Sequence, residues 1–324
     1  MHTTLWEPSS DQYKNCNLSK YISFINENYN KNFKNYDDLY NWSIDDISNF
    51  WDSISVFSKI KFSSLPDTIY KKNDSFIKTK WFEGAKLNFS ENLLKYNDDS
   101  IAIEYFCENK IKGKITYKQL YSRVSDCAYY LESLGIKKGD RVAGFMPNIF
   151  EAIIAMLATS SIGAVWSSCS PDFGINGVLD RFAQINPKVL FVSDGYFYKG
   201  KKINLSSKIN QIKKSLPSVK QVVCAEIIGV SNIDDCIFWN EIPVKNKKYK
   251  FKQVPFSHPL YVMYSSGTTG KPKSIVHSVG GTLIQHMKEL ILHTDLKKDD
   301  KIFYFTTCGW MMWNWMVSSL SIGA

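Results

Sequence analysis

Short apolar runs alternate with segments whose apolar residues recur every three or four positions, from about residue 98 onward. The runs, which predict strands, lie at 101–106, 141–146, 164–167, 189–193, 222–225 and 302–305. The helical spacing falls at 117–134, 149–158, 175–185, 205–215 and 283–292. Strands and helices that alternate in this way predict an α/β fold, with a mostly parallel sheet and helices on both of its faces.

Capping residues indicate where two of these helices begin. Thr116 and Gln119 have the spacing of a capping box, in which each side chain bonds the backbone N–H of the other residue. Gly135 marks the end of the same helix. We expect Asn148 and Glu151 to cap the next, strongly apolar helix.

The first part of the chain has a different pattern. Residues 1–97 are polar and rich in aromatic side chains, and we predict that they form a lead-in packed on a core domain at 98–324. Within the lead-in, apolar residues at helical spacing predict one helix over 43–58, packed on the surface of that domain.

The candidate chemistry follows a predicted strand at 261–264. Hydroxyl residues, two glycines and two lysines come next, around Pro272. Glycines permit a tight backbone whose N–H groups bind an anion, and the hydroxyls and lysines add donors and charge. This combination predicts a polyphosphate site, which would lie at the carboxyl end of a parallel strand. The predicted phosphate-binding residues are Ser265, Ser266, Gly267, Thr268, Thr269, Gly270, Lys271 and Lys273.

The amino-acid composition argues against several functional classes of protein. The net charge is +9, but only three of the 40 basic residues are arginines, which disfavours a nucleic-acid reader. Seven cysteines, an odd number with no Cys-x-x-Cys pair, indicate reduced thiols. With neither a signal peptide nor an apolar run of membrane-spanning length in the sequence, we expect a cytoplasmic protein without membrane partners. His286 and His293 share a helix but lack a third ligand, so no metal site is predicted.

The phosphate-binding segment resembles that of the adenylate-forming enzymes, the superfamily of acyl-CoA synthetases and luciferases. Ser-Gly-Thr-Thr-Gly-Lys-Pro-Lys at 266–273 carries this resemblance. Residues 162–174 and 305–314 are similar to the acetoacetyl-CoA synthetases, and the similarity extends over essentially the whole chain. It implies that acetoacetate reacts with ATP to give acetoacetyl-AMP and pyrophosphate, with Mg²⁺ present. CoA then gives acetoacetyl-CoA and AMP.

The resemblance also implies roles for residues outside the phosphate segment. Trp310 and Trp313 would line an acyl pocket, although packing in the core is an equal alternative for each. Lys199 and Lys201 would lie near CoA, whereas their residue type alone favours ordinary solvated lysines.

Later motifs of the family are not found in these 324 residues. The resemblance therefore implies an incomplete nucleotide-binding domain without the C-terminal lid domain, with catalytic residues beyond Ala324. We expect the chain alone to be inactive. The alternatives are a synthetase for acetate or propionate and a non-catalytic nucleotide-binding fragment.

Overall fold

The computed structural model describes residues 5–108, 110–230, 232–265 and 270–324. The helices are α1 (Ser10–Asn15), α2 (Asn17–Asn28), α3 (Tyr36–Asp45), α4 (Ile47–Phe57), α5 (Phe89–Leu93), α6 (Tyr117–Ser133), α7 (Phe150–Ser161), α8 (Ile175–Ile185), α9 (Ser206–Ser215), α10 (Val279–Lys288) and α11 (Met311–Val317). A π-helical turn at Glu289–His293 extends α10, and a 3-10 turn at Ser318–Ser321 extends α11.

The strands form one large sheet and several two-stranded pairs within the described residues. They are β1 (Thr68–Lys71), β2 (Lys80–Glu83), β3 (Lys86–Leu87), β4 (Ile101–Cys107), β5 (Ile111–Thr116), β6 (Arg141–Phe145), β7 (Val165–Cys169), β8 (Val189–Ser193), β9 (Gly195–Tyr198), β10 (Lys201–Asn204), β11 (Gln221–Ala225), β12 (Cys236–Phe238), β13 (Val254–Pro255), β14 (Pro259–Ser265) and β15 (Lys273–Ser278). The large sheet has the order β12-β11-β8-β6-β7-β14-β15. Its strands are parallel except for β15, which pairs antiparallel with β14.

Helices cover both faces of this sheet, as the sequence predicted. Along β8, Val189 and Phe191 belong to one apolar cluster, whereas Leu190 and Val192 belong to the other. Such alternation is required of a strand that is buried on both faces. The first cluster includes side chains of α6, α7 and α10, and the second includes those of α8 and α9. The predicted α/β fold is confirmed.

The aromatic lead-in packs on the core. The Tyr21 hydroxyl lies 2.6 Å from the Ser53 hydroxyl, which joins α2 to α4. The backbone N–H of Asn17 donates to Asp295 at 2.6 Å, which joins α2 to the segment after α10. The predicted single helix over 43–58 is wrong, because Asp46 separates α3 from α4 and its side chain caps α4. The domain boundary near residue 97 stays a prediction.

Two local predictions about helix ends had different outcomes. The Thr116–Gln119 capping box is present, and Gly135 has a positive φ directly after α6. The predicted Asn148 cap is wrong, because α7 begins after Ile149 without a side-chain cap. Instead, Asn148 Oδ1 accepts a hydrogen bond of 2.9 Å from the indole of Trp313. A partner distant in sequence replaced the local one.

The predicted strand at 302–305 is also wrong. These residues are not paired in a sheet in the described structure, and Phe303 and Phe305 are strongly exposed. A strand requires a neighbour for its ladder of hydrogen bonds, and apolar content cannot supply one.

Helix α7 is mostly apolar, and its residues 152–161 are all buried between α6, α5 and the sheet. Its twelve residues are too few to cross a bilayer. Within the described ranges, no helix combines the length and apolarity that membrane crossing requires.

Candidate functional site at the carboxyl edge of the sheet

The parallel strands β6, β7, β8 and β14 all end at the same edge of the sheet. The predicted phosphate loop follows β14 at this edge, where ligands of parallel sheets bind. Ser265 pairs in register with Lys273, so β14 and β15 form a hairpin, and the predicted phosphate-binding residues lie between and at the ends of these two strands in the sequence. We call β14, β15 and their connection the phosphate-loop hairpin.

The structure locates half of the predicted phosphate-binding residues. Ser266, Gly267, Thr268 and Thr269 lie outside the described residues. Gly270 has φ +99°, and no atom of the described residues lies within 4 Å of the position that a Cβ atom would take. The backbone there is of the left-handed kind that glycine favours, and it leaves space for a ligand.

The two lysines of the loop differ in their surroundings. The Lys271 ammonium lies 3.8 Å from a carboxylate oxygen of Asp180, and its side chain is largely exposed. Lys273 is exposed at the start of β15. Exposed ion pairs contribute little to stability, so Lys271 can exchange Asp180 for a phosphate at small cost.

Helix α8 holds the phosphate-loop hairpin in place. Gln184 donates from Nε2 to the backbone oxygen of Pro272 at 2.9 Å and accepts from the Ser274 hydroxyl at 2.8 Å. Asp180 precedes Gln184 by one helical turn, so both side chains lie on the same helix face. This polar face of α8 contacts the hairpin at Lys271, Pro272 and Ser274.

Arg181, also on α8, is a residue that the sequence analysis did not single out. Its guanidinium lies 4.7 Å from the ring centre of Phe173 and 5.7 Å from that of Tyr264. The Tyr264 hydroxyl donates to the backbone oxygen of Arg181 at 2.9 Å. Because Tyr264 directly precedes Ser265, this cation is close to the start of the predicted phosphate loop. The scarcity of arginine in the sequence was the signal that could have drawn attention to it.

The segment that leads into α11 lies across the same edge. The Ser168 hydroxyl donates to the backbone oxygen of Cys308 at 2.6 Å, and the Cys308 thiol donates to the backbone oxygen of Pro147 at 3.4 Å. An added Cβ at Gly309 would come within 3.6 Å of the backbone nitrogen of Ser170. The predicted acyl segment is therefore fixed to the ends of β6 and β7, beside β14.

The two predicted pocket tryptophans differ in their exposure to solvent. Trp310 is 64% exposed, whereas Trp313 is fully buried and bonded to Asn148. The burial of Trp313 is what core packing, the alternative to a pocket role, requires. Trp310, in contrast, is accessible to a substrate. Asn314 was missed by the sequence analysis. It is buried one turn beyond Trp310 and contacts Met263 of β14.

Lys199 and Lys201 lie in a second hairpin, formed by β9 and β10, which we call the outer hairpin. Lys199 and Gly200 both have positive φ at its tip. Their backbone N–H groups donate to the two carboxylate oxygens of Glu108 at 2.7 and 2.8 Å. Three strand spacings separate β8, which leads into this hairpin, from β14, a distance of about 14 Å along the same edge.

Comparison with known proteins identifies the family. The model of the AMP-binding enzymes, described as "AMP-binding enzyme", matches residues 89–324. The chain belongs to the AMP-binding enzyme family. A second model, described as "Acetyl-coenzyme A synthetase N-terminus", matches residues 36–93.

Individual relatives of this AMP-binding enzyme are similar over nearly its whole length. Acetoacetyl-CoA synthetase of Gallus gallus is 44% identical over 99% of the chain and 50% of that protein. Malonamoyl-CoA synthetase of Penicillium aethiopicum is 36% identical over 99% of the chain and 47% of that protein. The solved acetoacetyl-CoA synthetase from Streptomyces lividans superposes with a TM-score of 0.96 at 36% identity, covering 99% and 50%. The chain spans about half the length of the relatives it matches.

Burial perturbs several titratable groups at or near the site of this AMP-binding enzyme. Burial raises the pKa of the Glu151 carboxyl to about 7, against the weaker attraction of Arg123. Burial also raises the pKa of the Tyr264 phenol to about 12, so this group stays neutral and donates. His286 is buried against the Ser318 hydroxyl, and burial lowers its pKa to about 3. The His286 imidazole is therefore neutral and packed in the interior.

The described residues fit ATP better than they fit a metal ion bound by the protein alone. The open backbone at Gly270 and the exposed amines of Lys271 and Lys273 suit phosphate oxygens. Among the residues described, no three His, Cys, Asp or Glu side chains cluster closely enough to hold a metal. Mg²⁺ commonly binds through one or two carboxylates together with substrate phosphates, and the carboxylate of Asp180 lies beside Lys271.

Proposed function

We propose that the protein is an AMP-forming acid–thiol ligase that activates acetoacetate with ATP and transfers the acetoacetyl group to CoA. The observation that carries this proposal is the position of the phosphate-loop hairpin. Strand β14 ends and β15 begins at the carboxyl edge of the sheet, beside the segment that leads into α11. The segments that we propose for polyphosphate and for the acyl group are thus adjacent.

The chemistry requires such adjacency. A carboxylate is a poor acyl donor, and its attack on the α-phosphate of ATP makes a mixed anhydride with AMP as leaving group. The loop residues, with Lys271 and Lys273, would hold the β- and γ-phosphates and stabilise the charge of departing pyrophosphate. Mg²⁺, when bound, would neutralise part of the same charge. The Arg181 guanidinium adds a fixed positive charge behind Tyr264.

The acid is proposed from the relatives together with the segment beside the loop. The acetoacetyl and malonamoyl groups in the relatives' names share a carbonyl at position 3 and a similar size. Trp310 would offer an accessible aromatic wall for such a group. Lys199 and Lys201, on the outer hairpin, would attract the phosphates of CoA.

The test is acid-dependent exchange of pyrophosphate into ATP by the protein expressed from its complete reading frame. Exchange with acetoacetate should exceed that with acetate, propionate or butyrate, and adding CoA should release AMP and the thioester. Equal exchange with acetate would contradict acetoacetate as the substrate and favour a general short-chain synthetase. ATP binding without exchange for any acid would favour a non-catalytic nucleotide-binding protein.

A further inference from the structure

Asn314 lies at the inner end of the surface proposed to receive the acid. Trp310 is the N-cap residue of α11, and Asn314 lies in the first turn of that helix, with its Nδ2 3.4 Å from the Trp310 backbone oxygen. Trp310 is exposed and Asn314 is only 2% exposed, so the start of α11 leads from the surface into the interior. At the inner end, Asn314 Nδ2 lies 3.1 Å from the sulfur of Met263. Met263 precedes Ser265, the first predicted phosphate-binding residue, by two positions.

The side-chain amide of Asn314 is incompletely bonded. Nδ2 donates to the Met263 sulfur and, at 3.4 Å, to the backbone oxygen of Trp310. A thioether is a weak acceptor, and the second bond is long. Oδ1 is buried and has no hydrogen-bond partner within the described part of the chain. Such an atom is unfavourable in a folded protein unless a bound molecule or a function accounts for it.

The proposed acid supplies a chemical reason for an amide at this position. A 3-oxo acid differs from the saturated acid of equal length only in the carbonyl oxygen. A site that hydrogen-bonds such a group rejects the analogue lacking it far more strongly than an apolar pocket separates acids by size. The amide has both kinds of group, and half a turn about its terminal bond would present N–H where Oδ1 is now unbonded.

We infer that Asn314 is a specificity-determining residue whose side-chain amide hydrogen-bonds the 3-carbonyl oxygen of the acid. The inference rests on the function proposed above and deepens it, because it assigns the choice of acid to one residue. It also accounts for a polar side chain on the inner side of a helix that is otherwise aromatic and apolar, with Trp313 and Val317 buried nearby.

A purely structural role for Asn314 predicts different behaviour. An amide that only joined α11 to β14 would affect folding, and its loss would slow the reaction with every acid to the same extent. Exchange of this incompletely bonded amide for leucine should leave folding intact, because the unbonded Oδ1 is removed together with Nδ2. The ratio of rates with two acids therefore separates the two roles.

The experiment compares acetoacetate with butyrate, which has the same chain length but no 3-carbonyl, by pyrophosphate exchange under kcat/KM conditions. The protein is expressed from its complete reading frame as wild type, Asn314→Leu and Asn314→Ala. The acetoacetate-to-butyrate ratio should fall at least about tenfold in both variants, mainly through slower reaction of acetoacetate. Ser318→Ala is the matched control, because its hydroxyl bonds the backbone oxygen of Asn314 one turn further along. That variant should keep the wild-type ratio.

Each outcome decides the inference. A ratio that stays at the wild-type value in Asn314→Ala, with acetoacetate still preferred, would overturn the role of Asn314 and leave the proposed function standing. Equal loss of activity with both acids would assign Asn314 to structure and overturn the inference too. A wild-type protein that exchanges pyrophosphate with no acid would overturn the proposed function and this inference together. If Asn314→Leu does not fold, Asn314→Ala still measures the ratio without added bulk.

Discussion

The phosphate-loop hairpin and the outer hairpin both present lysines at the carboxyl edge of the sheet, but they are held in different ways. The first belongs to the large sheet, and Gln184 of α8 contacts it at two points. The second is a separate two-stranded pair. Among the described residues, the backbone N–H groups at its tip donate to a single carboxylate, that of Glu108.

The difference supports a division of the proposed two-step reaction between rigid and adaptable parts. Segments with few buried contacts open at lower free energy than the elements of a core. The phosphate-loop hairpin is suited to hold groups in line for phosphoryl chemistry, where misplacement by about 1 Å can cost about a hundredfold in rate. The outer hairpin is suited to admit and release a second substrate.

The strongest test of this comparison is Lys273→Ala in the phosphate-loop hairpin. Hydrogen bonds to charged phosphate oxygens are worth about 1.5–3 kcal/mol, so adenylate formation should slow about tenfold to a hundredfold. Thioester formation from presynthesised acyl-AMP should be spared, because pyrophosphate takes no part in it. Lys214→Ala, an exposed lysine on α9, is the control. Equal slowing of both half-reactions in a folded variant would contradict the role of the loop.

The sequence could predict the parts of this comparison that depend on local pattern. Alternation of apolar runs and helical spacing predicted the sheet strands β6, β7, β8 and β11 closely, because burial on both faces demands continuous apolar runs. The loop chemistry was equally visible, because the glycines, hydroxyls and lysines are contiguous in sequence.

The remaining features depend on contacts between distant positions. The Asn148–Trp313 bond spans 165 residues, so the local preference for a cap at Asn148 was misleading. The outer hairpin was not predicted, since its tip is held by Glu108, 91 residues away from Lys199. For the same reason, the incomplete bonding of Asn314 could be recognised only once α11 and β14 were side by side.

The anchoring of the phosphate-loop hairpin by α8 gives the next prediction. Gln184→Ala removes two hydrogen bonds, each worth about 1 kcal/mol net, while the strand pairing of β14 and β15 remains. We expect adenylate formation to slow about fivefold, measured by pyrophosphate exchange, with thioester formation unchanged. Gln211→Ala on α9, whose amide bonds the exposed hydroxyl of Ser207 on the same helix, is the matched control. A rate equal to that of the control would mean that the sheet alone positions the loop.

The smallest effect is expected at the outer hairpin. Glu108→Ala removes both bonds to the tip, and the backbone at Lys199 and Gly200 becomes free to change conformation. Because these bonds are exposed, their loss should raise the KM for CoA only about twofold to threefold, with pyrophosphate exchange unchanged. Glu27→Ala, at an exposed glutamate of α2, should leave both steps unaltered.

Two other outcomes would contradict this view of the outer hairpin. If Glu108→Ala instead lowers the KM for CoA, the Glu108 carboxylate competes with a CoA phosphate for the same backbone N–H groups. If it slows pyrophosphate exchange, the two hairpins are coupled and the proposed division between them is wrong.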